Sequence, residues 1–231
     1  MLNYTELLEE IDWNKVIPFK AATLDDLAVL SAPSACSHNW NCDKFEIDNV
    51  PVEEVKKELD KLKIDSISSL MKYLQQSSEN FIYKDYYSFC KCKAEGEYPE
   101  IKTEEGKKYF ELCMSYALRF VNMVKGNSFF AWDCCDIIST VRMACTCDIV
   151  SRDVAEDILK PVYKMVERFT SVEDYAYSFI CGGAYHCFKD TCLNSEETYD
   201  KDADRWYFFV SKLLNKITKD QNYLPKKKVN I

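Results

Sequence analysis

The side chains best suited to chemistry are concentrated in "SFFAWDCCDIISTVRMACTCD", residues 128–148, with four cysteines, a Trp-Asp pair and a single arginine. Asp133 and Asp136 are one helical turn apart, a spacing that brings two carboxylates to neighbouring positions on a helix surface. Such a pair can serve acid–base chemistry or hold a ligand in a cleft. With Trp132 beside them and Arg142 further along, these four residues are the candidate ligand-binding set.

A helix must position them. At about 100° per residue, Phe130, Cys134, Ile137, Ile138, Val141 and Cys145 fall within one arc, which reads as a core stripe. Two of the four cysteines are therefore expected in the core. Asp133 lies at one edge of the arc, whereas Arg142 points to nearly the opposite side, so the two cannot pair within this helix. In the first turn, Asp133 is expected to serve the helix dipole by bonding exposed backbone N–H groups. In the sharper reading it lines a cleft with Asp136 and Trp132, and Arg142 joins only if another helix brings the ligand round to it.

Other chemistry is poorly supported. Among twelve cysteines and two histidines there is no C-x-x-C and no H-x(3–5)-H spacing. The best metal cluster is "CSHNWNC", where Cys36, His38 and Cys42 would need a fourth zinc ligand from elsewhere. In "FICGGAYHCFKDTC", Cys181, Cys187 and His186 diverge around a helix, and Gly182 and Gly183 read as a point of close helix approach. No G-x-G-x-x-G, P-loop or G-x-S-x-G occurs, so no cofactor and no catalytic residue is expected.

Composition sets the frame. In 231 residues there are only five glycines and six prolines, which leaves strand-and-turn architectures without punctuation and favours an all-α fold. We expect a compact bundle of about eight or nine helices in a single domain, with a basic tail at 219–231. Periodicity and capping signals place helices at "YTELLEEI", "TLDDLAVLS", "PVEEVKKELDKL" and "SISSLMKYLQQ", and over residues 106–124, 129–147, 151–169, 172–190 and 196–218. Thr23 with Asp26 has capping-box spacing, as does Ser171 with Asp174, and Ser151 is a further N-cap. Residues 31–50 read as a loop, and 77–98 as helix plus loop without a clean period.

The net charge of −8 argues against a nucleic-acid partner, because affinity for phosphates comes from Lys and Arg. The start "MLNYTELLEEIDWNK" lacks the pattern of a signal peptide, and no window is long and apolar enough for a membrane span. A cytoplasmic protein with reduced, mostly buried cysteines is expected.

The order of "KKELDKLKIDSISSLMKYLQQ" and "FFAWDCCDIISTVRMACTCDIVSRDVAEDILKPVYKMVERFTSVEDYAYSFICGGAY" resembles the bacterial domain of unknown function DUF1266 over about residues 23–190. In that family a helix opens with Trp-Asp, an arginine-bearing stretch and a Gly-Tyr-Ile turn follow, and a Ser-Trp-Glu start precedes a helix containing glycine. Trp132-Asp133, Arg142 and Gly182 match, while Asp148-Ile149-Val150 and Ser171-Val172-Glu173 stand in for the two short motifs. Asp136 stands where the family often carries an arginine, and Asp148 where the turn has glycine, as in a diverged member. The resemblance implies an all-α fold and no established activity.

Two functions compete. The first is a non-catalytic protein-binding domain, of a regulatory or toxin-neutralising kind, whose acidic surface suits a basic partner. The second is a small-ligand protein or enzyme built on a carboxylate cleft around Asp133 and Asp136.

Overall fold

Helix α8, Phe130–Thr146, is the axis around which the rest of the chain is arranged. The computed structural model describes residues 21–124, 126–169 and 172–191. The expected helices at the N-terminus and at 196–218, the Ser171 cap, Cys192, the basic tail and the side chain of Cys36 lie outside the described residues.

Every regular element among the described residues is a helix, as the composition requires. The order is α1 Leu24–Leu30, α2 Ala32–His38, α3 Val52–Lys61, α4 Ile67–Glu79 and α5 Ile82–Glu95, followed by α6 Glu104–Leu118, α7 Val121–Val124, α8, α9 Arg152–Val166 and α10 Val172–Thr191. Local chemistry starts four of them. Thr23 and Asp26 form the expected capping box of α1, and Ser66 and Ser69 form another at α4. Thr103 caps α6, and Ser151 caps α9 by accepting from the Val154 N–H at 3.3 Å.

Three boundaries differ from the sequence reading. Residues 32–38, expected as loop, form α2, because Pro33 falls in the first turn, where its missing N–H costs nothing. Part of 77–98 resolves into α5, stopped by Gly96 at φ 71°. The helix expected over 106–124 breaks after Leu118, where Arg119 and Phe120 donate to Tyr116 and Ala117 at 3.2 Å, three residues back, and the chain turns tightly into α7. Asp148, where glycine was noted in the related family, holds a left-handed φ of 55°.

The buried apolar side chains form one cluster from Leu24 to Phe188. Phe130, Cys134, Ile137, Ile138, Val141 and Cys145 are all in it, as the wheel predicts. Yet α8 is buried on the opposite side too, because α1, α2, α3, α9 and α10 all pack against it. Helix α10 approaches closely at Gly182, where a Cβ would lie 2.8 Å from the Cβ of Trp132 and 3.2 Å from that of Phe129. That glycine is there for contact between helices. Seven of the ten described cysteines are buried, which makes them packing residues. Burial pushes the Cys135 thiol up to about 12 and those of Cys134 and Cys181 higher still, far from the thiolate a nucleophile needs.

Candidate functional site

Along one face of α8, Trp132, Asp133, Asp136, Ser139, Thr140 and Met143 follow the helical repeat and floor a cavity of about 500 Å³. These positions extend over roughly 16 Å at 1.5 Å per residue. One wall comes from Pro33, Ser34 and Ser37 of α2, another from Tyr73 and Ser77 of α4. Asn80, Phe81 and Ile82, at the junction of α4 and α5, close one side, and Phe179 and His186 of α10 close the other. The size is within the range of small-molecule pockets, about 300–1,000 Å³.

The two carboxylates have different surroundings. Asp133 is 5% exposed and accepts from two backbone groups of another helix, the Ile82 N–H at 3.2 Å and the Tyr83 N–H at 3.0 Å. Helix α5 has no capping side chain of its own at Phe81, so Asp133 supplies that cap from across the fold. The expected service to a helix dipole is rendered to α5, about 50 residues away in sequence. Ser178 does the same for α8, accepting from the Ala131 N–H at 3.1 Å. Burial raises the Asp133 carboxyl to about 7, outweighing the two N–H donors, and the charges of Asp136 and Asp85 act in the same direction.

Asp136 has far less support. Its one described hydrogen bond is from the Tyr73 hydroxyl at 3.5 Å, at the outer limit for such a contact. Burial raises its carboxyl to about 6 against the lowering effect of Tyr73. One turn further on, Ser139 is 7% exposed, and its Oγ has no hydrogen-bond partner among the described residues. Those that line the cavity include no lysine or arginine.

Aromatic rings form the other end. The Trp132 ring lies 5.1 Å from Phe179 and 5.2 Å from His186. Burial lowers the His186 pKa, and its Nε2 is 3.3 Å from Asp190.

Arg142 is not part of this cavity. It is 1% exposed on the other side of α8, with Nε donating to Phe45 O and Nη1 to Ser31 Oγ, both at 2.7 Å. Its Nη2 donates to Asn41 O at 2.7 Å and Lys44 O at 3.1 Å. The guanidinium thus ties the connection between α2 and α3 to the core, and burial lowers its pKa to about 10. In the same connection, Cys42 is buried, and the His38 ring stacks on Trp40 at 4.3 Å with Nδ1 3.0 Å from Ser34 O. No group of three or more His, Cys, Asp or Glu side chains among the described residues is placed to hold a metal ion.

A protein-family model described as "Protein of unknown function (DUF1266)" matches residues 45–218, most of the chain. The chain belongs to the DUF1266 family. No curated protein and no solved structure matches it. The DUF1266 match starts and ends later than the resemblance over 23–190 suggested, and it too takes in the α8 floor and the walls from α4, α5 and α10. The α2 wall and Ser31, a partner of Arg142, precede it.

Sequence reading named Trp132, Asp133 and Asp136, and all three line the one cavity, while Arg142 stands apart from them. It did not single out Ser139, Tyr73 or His186 for this role. Ser139 follows Asp136 by one turn and was within reach of the same periodicity argument. Tyr73 is 63 residues from Asp136, and no local pattern leads to it.

Proposed function

We propose that this DUF1266 protein binds a small organic ligand in the cleft along α8. One observation carries the reading: a cavity of about 500 Å³ whose apolar walls enclose a few convergent polar groups, Asp136, Ser139 and Tyr73 among them. Pockets of that size and make-up are the usual form of a small-molecule site. Buried carboxyl groups with raised pKa values are also the kind that cluster at functional sites.

The expectation of a basic protein partner rests on net charge, a property of the whole surface that singles out no place on it. The cleft is a specific place, and it favours the ligand. No helix among the described residues is long and apolar enough to cross a membrane.

Native mass spectrometry of the protein, purified gently from its own host, tests the proposal. A small-molecule mass on the wild type that is lost in Thr140→Trp, which fills the cleft, supports it. A mass retained by Thr140→Trp places the ligand elsewhere and overturns it.

A further inference from the structure

Asp136 is a half-buried carboxylate in a cleft whose described lining includes no lysine or arginine. Its one described hydrogen bond, from Tyr73, is 3.5 Å long. An ionised carboxylate so placed is costly unless it is paired. One turn along α8, Ser139 presents a second polar atom, an Oγ out of solvent that makes no hydrogen bond of good geometry and has the Cys135 thiol beside it. Buried polar atoms of this kind are rare and need a reason. Both lie on the cavity wall, three residues apart on one helix. Asp133 is different, because backbone N–H groups engage both of its oxygens.

From this juxtaposition, and resting on the ligand-cleft reading above, we infer that the cleft takes a protonated amine, its ammonium against Asp136 and Ser139 and its apolar body toward Trp132 and Phe179. An ammonium carries several N–H donors and no acceptor, so it satisfies the carboxylate and the orphan hydroxyl together. An anion would meet two carboxyl groups and no cationic side chain among the lining residues. A neutral ligand of the same shape would fill the aromatic end and leave Asp136 as it is. Trp132 precedes Asp136 by four residues, about 6 Å along the helix, so the amine and the ring of the ligand are separated by a short linker.

Three probes of matched shape test this on the full chain: phenethylamine, neutral 2-phenylethanol and anionic 3-phenylpropionate. Each is titrated to millimolar concentration at neutral pH while the amide signals of α8 are followed by NMR. Phenethylamine is expected to bind roughly tenfold or more tightly than 2-phenylethanol, the worth of a charge-assisted hydrogen bond. Asp136→Asn should bring the two to equal affinity, and Ser139→Ala should weaken the amine several-fold while sparing the alcohol. Equal binding of amine and alcohol to the wild type overturns the inference but leaves the cleft reading intact. Shifts of α8 signals with none of the three probes overturn both. A preference for the amine that survives in Asp136→Asn overturns the assignment to Asp136.

Discussion

Helix α8 carries charge on two sides, Arg142 fully buried and Asp136 half-buried, and the fold treats the two in opposite ways. Arg142 makes four hydrogen bonds of 2.7–3.1 Å, to three backbone carbonyls and the Ser31 hydroxyl. Asp136, two turns earlier, has a single described bond of 3.5 Å and borders a cavity. A buried charge that the fold saturates is part of the structure, and one that the fold leaves unsatisfied is available to something else. Sequence alone puts both in one candidate set, with Arg142 joining only if another helix brings the ligand round to it. The difference is entirely in what the other helices bring to them.

The comparison breaks most visibly at Arg142. Arg142→Met leaves Phe45 O, Asn41 O and Lys44 O without their donor, and should cost about 3–5 kcal/mol in urea unfolding. A loss below 1 kcal/mol, roughly that of a surface contact, would end the claim that this charge is structural. Gly182→Ala is next. The added Cβ, 2.8 Å from Trp132 Cβ, pushes α10 off the α8 floor and should cost about 1–3 kcal/mol, with a change in Trp132 fluorescence.

Asp136→Asn should act in the other direction. Burial raises the folded carboxyls to about 6 for Asp136 and about 7 for Asp133. The unfolded chain gives up these protons near pH 4. Below that pH neither group opposes folding. As pH rises toward 7 the unfolded state is favoured, so stability falls through this window. Asp133 faces Asp136 and Asp85, and Asp136 faces Tyr73. His186, lowered by burial, works against folding below about pH 6.5 and so opposes the carboxyl trend in the acid part of this window. The Asp136 contribution is therefore read as the difference between wild type and Asp136→Asn at each pH. At pH 8, Asp136→Asn should stabilise the protein by on the order of 2 kcal/mol, with a higher Tm and a flatter pH profile than the wild type. A lower Tm at pH 8 would mean that Asp136 is as well satisfied as Arg142.

The smallest effect is expected at the cysteines. Cys134, Cys135 and Cys181 should resist thiol reagents in the native protein and react only on unfolding. Rapid native labelling at any of them would open the core that both charges depend on.

Local signals in the sequence were reliable where a neighbour a few residues away completes the interaction. The capping box at Thr23 and Asp26 and the cap at Ser151 are of this kind, while the core stripe of α8 and the close approach at Gly182 were legible from periodicity and residue type although distant helices complete them. Errors occurred where packing overrules composition. Residues 32–38 look like a loop by their Pro and Ser content but wind into a helix against α8. Asp133 looks like a cap for its own helix and instead caps α5.

What the sequence determined by itself is the helical class, most helix positions, family membership and the proximity of Trp132, Asp133 and Asp136 on one helix. These follow from 3.6-residue periodicity and short-range hydrogen bonding, which any reader of the chain can compute. Only the tertiary structure decided which buried charge is satisfied. Arg142 takes its partners from 97 to 111 residues away, and Asp136 meets Tyr73 across 63. Such distances are closed by the packing of whole helices, and a side chain's demand for a hydrogen bond does not specify which distant group will meet it.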